Sequence, residues 1–421
     1  MTTIDEKAPP VADLYRRYLS RGRARLADIT GGHVEVASSG AWVTLADGTR
    51  LLNAGGYGVF IHGARHPAVE AAVIEQIRTH PLATRMMLEP QAARAAQALV
   101  EAAPAGLARA YFANSGAEAV EAAIKMARTR GKTRLVSTVG GYHGKTMGAL
   151  SVTAKDLYQQ PFRPLLPQVS HVPYGDAGAL EEELRNGPEA CVIVEPVQGE
   201  GGVVIPPPGY LTDVARLCRE FGALFVLDEV QTGLGRLGTW WGADRDGVTP
   251  DVLLVGKSLS GGVVPVAAAV ATVEAFAAFD RDPYLHTSTF SAAPIAMAAA
   301  RAAIEAIQAD GLVERSASIG AELLRKLRES AALHCPHLVR EVRGAGLLIG
   351  VEFHQPGLSG EMLGELLERH VVANHSLNAH TVLRLTPPAV MRADEVDHLV
   401  DACDGALRAL GDRYPNRAED R

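Results

Sequence analysis

Three short stretches carry side chains whose types and spacing could do chemistry together. In "FVLDEVQTGLGRLG", residues 225–238, an apolar run ends on Asp228, with Gln231 three residues on. A carboxylate that closes a buried strand lies at the sheet edge where open α/β folds bind ligands. Twenty-nine residues later, "DVLLVGKSLSGG" puts Lys257 directly after a second such run, between Gly256 and the pair Gly261-Gly262. An ammonium in surroundings this poor in charge is partly desolvated, which favours the neutral amine that attacks carbonyls. The third stretch, "YFANSGAEAVEAAIKMARTRG", passes from strand to helix at Asn114-Ser115-Gly116, with Ser115 and Glu118 spaced as a capping box and Gly131 as the stop. Free N–H groups at such a helix start, beside a glycine that permits close approach, suit a phosphate. Taken singly, each has a plainer reading: a turn aspartate, a solvated loop lysine, an ordinary cap.

The glycines of the first stretch, Gly233, Gly235 and Gly238, match a dinucleotide-binding turn. Such a turn needs a helix straight after the glycines and an acidic residue about 20 positions on. Here "TWWGADRDGVTPD" follows, broken by Gly242, Gly247 and Pro250, and the distant position falls at Lys257-Ser258. This argues against a nicotinamide or flavin on the loop.

The elements that must position these residues follow from periodicity. Between about 64 and 295, β-branched runs alternate with helical segments, the pattern of an α/β fold with a mostly parallel central sheet and helices on both faces. Expected strands are 109–112, 134–139, 190–195, 224–229, 252–255 and 266–270, with a helix at 210–221. A long alanine-rich helix is expected over 295–330, followed by "VRGAGLLIGVEF", a loop marked by Pro356, Gly357 and Gly360, a helix at 362–370, "TVLRLTP" and a last helix. The chain thus divides into a large domain at 64–295, a smaller α+β domain at 296–421, and an N-terminal segment, 1–63, that joins the smaller one. In that segment Asp47-Gly48 reads as a hairpin turn.

With 421 residues, 47% of them hydrophobic, the chain can bury a large core. A net charge of −7 without any basic cluster argues against nucleic acid and leaves small molecules as partners. Residues 1–25 lack an apolar run long enough for a signal peptide or membrane span, so no membrane and a cytoplasmic location are expected. Cys191, Cys218, Cys335 and Cys403 are far apart and without metal-type spacing, so they read as reduced core residues, and no metal is expected.

In order along the chain, "NSGAEAVEAAIKMAR", "GGYHGKTMGALS", "EPVQGEGGVVIPPPGY", "LDEVQTGLGRLG", "PDVLLVGKSLSGG", "HTSTF" and "VLRLTPP" resemble the motifs of class III aminotransferases, pyridoxal phosphate enzymes of fold type I. The texture is most similar to the diamine (putrescine-type) and ornithine-type members. The resemblance implies pyridoxal 5'-phosphate as cofactor, with Lys257 forming the Schiff base and shuttling the proton, and Asp228 pairing with the pyridinium nitrogen. It implies Ser115, Gly116 and Ala117 on the phosphate, Tyr142 and Val230 on the two faces of the ring, and Gln231 near its phenolic oxygen. His143 and Glu195 are implied as supports behind these groups. Thr289 matches a threonine that reaches the phosphate of the neighbouring subunit, which implies a homodimer or a dimer of dimers, with the Gly233–Gly238 loop near the subunit contact.

On the substrate side the resemblance implies Arg384 as the grip on an α-carboxylate and Glu200 as its pair, with Tyr57 and Arg85 near the entrance. The expected reaction is a ping-pong transfer of an amino group from a terminal amine (a diamine, an ornithine-like or an ω-amino acid) to an oxo acid such as 2-oxoglutarate. The alternative is an epimerase or aminomutase on the same scaffold. Two places depart from the family pattern: Ser291-Ala292-Ala293-Pro294 stands where Gly-Gly-Asn-Pro is usual, and Arg85-Met86-Met87 stands where diamine-type members carry glutamine and small polar residues.

Overall fold

A computed structural model describes residues 10–187 and 189–416; the first nine residues, part of the stretch read for a signal peptide, lie outside it. At its centre is a seven-stranded sheet in the order Arg109–Ala113, Ala267–Ala271, Val252–Val255, Leu224–Asp228, Ala190–Val194, Arg134–Thr138, Val169–Val172. Only Ala267–Ala271 runs against the others. Strands this apolar form because both faces are covered, and alternate side chains divide between two cores. Val226, Val252 and Leu254 join Ala119, Val120 and Ala123 of the helix Gly116–Thr129. Phe225, Leu227, Leu253 and Val255 join Leu211, Val214 and Leu217 of the helix Tyr210–Glu220 on the opposite face. Full burial of each such side chain is worth about 1.5–3 kcal/mol, so the strand positions carrying the polar ends are held firmly.

Two smaller sheets flank this layer. The hairpin Trp42–Leu45 and Arg50–Asn53 turns at Asp47-Gly48, where Gly48 has φ 87° and the Thr49 N–H donates to Asp47 Oδ1 at 2.9 Å. Glu35–Ser39 pairs with its first strand, and Val371–Val372, from far along the chain, pairs in parallel with its second. The other sheet is antiparallel, in the order Val339–Ala345, Leu348–Phe353, Val382–Leu385, Asn374–His375.

Three sequence expectations change. The alanine-rich segment is two helices, Pro294–Ala309 and Leu312–His334, because Gly311 adopts φ 59° between them. Pro356 starts a helix, Pro356–Glu368, instead of marking a loop, as suits a proline whose missing N–H costs nothing in a first turn. The edge strand Val169–Val172 is an addition; half-buried, it has no long apolar run to announce it. All four cysteines are buried and free. Among the described residues no helix is long and apolar enough to cross a membrane.

Candidate active site

The carboxyl ends of the parallel strands open on one cavity of about 500 Å³, a volume suited to a small organic ligand. Lys257 follows Val252–Val255 and is held at φ 43°, a left-handed conformation that costs a non-glycine residue on the order of 1 kcal/mol. Its carbonyl accepts from the Ser260 hydroxyl at 2.8 Å. The side chain lies half-buried on the cavity wall, where burial pushes the ammonium pKa down; Glu200 opposes this, Arg384 adds to it, and Asp228 and Glu195 oppose it more weakly.

Asp228 closes the neighbouring strand, 5% exposed. Its Oδ2 lies 2.7 Å from His143 Nδ1 and its Oδ1 accepts the Val230 N–H at 3.1 Å, so the carboxylate is fixed from both sides. Burial alone would lower the His143 pKa, but the hydrogen bond and charge of Asp228, with the charge of Glu195, outweigh it and push the pKa up. Glu195, after Ala190–Val194, is pushed up to about 8 by burial, which the charge of His143 opposes and that of Asp228 reinforces. Its Oε2 accepts the Tyr142 N–H at 3.1 Å. The Tyr142 phenol, half-buried on the cavity wall, has its pKa raised by burial and by Glu200.

The helix Gly116–Thr129 starts at the cavity. Ser115 caps it, accepting the Glu118 N–H at 3.3 Å, while the Asn114 N–H donates to Glu118 Oε2 at 3.1 Å. The first N–H groups of a helix have no partner inside it and face outward from its positive end. A Cβ at Gly116 would come within 2.9 Å of Val230 Cγ1, so only glycine keeps this helix start so close to the opposite wall.

Glu200 and Arg384 form a buried ion pair, Oε1 to Nη1 at 2.6 Å, with side chains 5% and 0% exposed. Glu200 Oε2 accepts the Leu377 N–H at 2.9 Å, and Arg384 Nη1 donates to Gln231 Oε1 at 3.4 Å. Arg384 Nε and Nη2 have no hydrogen-bond partner among the described residues. Arg384 lies in Val382–Leu385, paired with Gly350 and Asn374, so two strands hold its backbone.

Of the residues singled out in the sequence, Ser115, Gly116, Ala117, Tyr142, His143, Glu195, Glu200, Asp228, Val230, Gln231 and Lys257 line the cavity together. Arg384 joins through Glu200. Tyr57 is exposed, at φ 53°, and its carbonyl is 3.4 Å from Gln231 Nε2. Arg85 and Thr289 are exposed and outside the lining of this chain's cavity. Ser291 turns inward to donate to the Phe112 carbonyl, and Ala292 adopts φ 55°, the left-handed region that the usual glycine enters freely. The Gly233–Gly238 loop, read as lying near a subunit contact, is packed inside the chain, with Gly238 against Ala317 and Gly235 against Val313 of the helix Leu312–His334. Lys145 and Val263–Val266 are wall residues that the sequence reading did not single out; Lys145 follows His143 by two positions, and its Nζ lies 3.7 Å from the Tyr158 ring centroid.

A partly desolvated amine sharing a cavity with a fixed strand-end carboxylate and a helix start that begins on glycine is a donor set that suits pyridoxal phosphate. The aminotransferase class-III family model matches residues 32–407. The ornithine aminotransferase of Toxoplasma gondii is similar at 31% identity over 95% of both chains, with a TM-score of 0.89. An (S)-enantioselective ω-transaminase from Thermomicrobium roseum is 29% identical over 95% of this chain and 98% of its own, TM-score 0.87. The ω-transaminase of Pseudomonas jessenii, solved in complex with PMP, is 26% identical over 96% and 99%, TM-score 0.88. The chain belongs to the class III aminotransferases, and its cofactor is pyridoxal phosphate.

Proposed function

We propose that the protein transfers an amino group from a terminal amine (a diamine, an ornithine-like or an ω-amino acid) to an oxo acid such as 2-oxoglutarate in a ping-pong cycle. The buried Glu200–Arg384 pair carries this reading. A donor whose reacting amine has no adjacent carboxylate needs Arg384 covered, since an unpaired buried arginine costs several kcal/mol. An oxo acid brings its own carboxylate, which takes the place of Glu200 on Arg384, whose Nε and Nη2 have no partner among the described residues. One site thereby accepts both partners.

Pyridoxal phosphate, when bound, withdraws electrons from the amine-bearing carbon and carries the amino group between half-reactions. In this reading Lys257 holds it and moves the substrate proton at Nζ, a task for which a depressed pKa suits the amine. Asp228, oriented by His143, keeps a proton on the pyridine nitrogen, and Glu195 supports His143 and Tyr142 from behind. Ser115, Gly116 and Ala117 would hold its phosphate, Tyr142 and Val230 would flank its ring, and Gln231 would serve its phenolic oxygen. Tyr57, whose carbonyl accepts from Gln231 Nε2 at 3.4 Å, borders the substrate entrance.

The same reading makes the protein a homodimer in which Thr289 serves the neighbouring cavity. Met86, Met87, Leu88 and Phe290, 77%, 79%, 102% and 56% exposed, are the apolar surface offered for that contact, and Arg85, exposed beside them, is taken as a substrate-side residue of the entrance. Residues 1–63 and 296–421 are taken as one smaller domain, supported by the pairing of Val371 with Leu52. Buried free cysteines suit a cytoplasmic location.

Holoenzyme given 2-oxoglutarate and a panel of putrescine, ornithine, ω-amino acids and α-amino acids tests this. Terminal amines should give the higher kcat/KM, and exclusive use of α-amines would sink the reading. Sustained turnover without any oxo acid would point to an isomerase. Glu200→Ala should shift the kcat/KM ratio toward α-amino acids by about tenfold, the scale of one lost charge-assisted bond; an unchanged ratio removes the masking role.

A further inference from the structure

Arg236, in the loop after Gln231, is completely buried, yet no carboxylate pairs with it among the described residues. Its Nη1 donates to the Pro387 carbonyl at 2.6 Å and to the Leu347 carbonyl at 3.3 Å, and its Nη2 to the Gly58 carbonyl at 3.4 Å. Nε has no partner there. Two of these acceptors adjoin residues of the proposed site. Pro387 lies three residues beyond Arg384, and the Gly58 carbonyl also accepts from Ser258, next to Lys257. Gly58 is packed against the Lys257 and Gln231 side chains, where an added Cβ would meet them at 3.9 and 3.6 Å.

Two buried guanidiniums therefore border one site. Arg384 has the Glu200 carboxylate, whereas Arg236 has only carbonyl dipoles, which leaves this trio with one positive charge in excess. Burial and the like charge of Arg384 pull the Arg236 pKa down to about 9, still ionised at neutral pH. An excess positive charge walled off from water attracts an anion much more strongly than it would at the surface. When Glu200 leaves Arg384, the excess grows to two.

We propose that Arg236 is a positioning residue that sets acceptor affinity: its buried charge, anchored beside Arg384 by Gly58, Leu347 and Pro387, strengthens binding of the oxo acid carboxylate without touching it. The proposal rests on Arg384 being the carboxylate anchor. A donor without a carboxylate does not draw on this charge, so the effect is one-sided.

Steady-state kinetics of the holoenzyme with putrescine and 2-oxoglutarate, for wild type, Arg384→Gln, Arg236→Gln and Arg236→Lys, tests it. Arg384→Gln must raise the KM for 2-oxoglutarate; if it does not, or if putrescine is no substrate, the underlying reading of the site fails. With that control met, Arg236→Gln should raise the 2-oxoglutarate KM roughly tenfold, as expected of one nearby charge acting through protein, with the putrescine KM within about twofold of wild type. Arg236→Lys, which keeps the charge and loses the fork, should bring the acceptor KM back to within about threefold. If Arg236→Gln does not fold, Arg236→Lys alone decides by the same threshold. A rise in both KM values together, or a lysine variant as impaired toward 2-oxoglutarate as the glutamine one, would show a merely architectural arginine and overturn the proposal.

Discussion

Glu229, directly after Asp228, is buried and accepts three hydrogen bonds: from the Gly242 and Ala243 N–H groups at 2.9 and 2.8 Å and from the Thr232 hydroxyl at 2.6 Å. It ties the loop after the strand to the tryptophan-containing segment and so supports the backbone carrying Val230 and Gln231. Burial nonetheless pushes its pKa from 4.5 up to about 7, with the three hydrogen bonds opposing. Between those values the folded chain keeps a proton that the unfolded chain has lost, so this group's contribution to stability is full below about pH 4.5 and declines as pH rises through 7. The decline amounts to roughly 3 kcal/mol at 1.36 kcal/mol per pH unit. Glu229→Gln removes it: urea unfolding at pH 5 and pH 8 should show wild type losing more stability across that interval than the variant. Equal losses would mean that Glu229 is ionised throughout.

At the scale of elements, the loop Gly233–Gly238 shows how glycine spacing can mislead. Gly238 is there for packing: at φ 81°, an added Cβ would come within 2.9 Å of Ala317 Cβ and 3.0 Å of its Cα, on the helix Leu312–His334. Gly222, which ends the helix Tyr210–Glu220, also has a positive φ, 65°, but nothing lies within 4 Å of its missing Cβ. Gly222→Ala should therefore cost only the backbone term, about 1 kcal/mol, and Gly238→Ala roughly 2–3 kcal/mol, because the neighbour is backbone and cannot give way. Chemical unfolding of the two variants compares them directly. Equal costs would mean that the helix yields, and the loop would then not anchor the strand end carrying Asp228.

At the scale of the whole molecule, the proposed dimer predicts that sedimentation at micromolar concentration gives twice the 44.5 kDa chain mass, and that Leu88→Glu, charging the most exposed large apolar side chain among the described residues, yields inactive monomers. An active monomer would exclude a shared site. Along the chain itself, apolar runs and the polar residues ending them were enough to locate the buried strands of the central sheet, though not its half-buried edge strand Val169–Val172, and with them Asp228, Lys257 and the Ser115 cap, because each is a local pattern: a buried strand must be continuously apolar, and a helix must be capped where it begins. The break at Gly311 and the helix start at Pro356 were less legible, since glycine and proline serve helix ends and loops alike. Burial of charge was not legible for Arg236 or Glu229, whose neighbours along the chain look like any loop. Their surroundings come from Gly58, Leu347, Pro387, Gly242 and Ala243, brought in by other segments. The sequence by itself determined which groups stand at the strand ends. Only the tertiary structure decided which of them lose their water and which charge is left without a counter-charge, because desolvation and Coulomb energy depend on distances between segments that no spacing along the chain encodes.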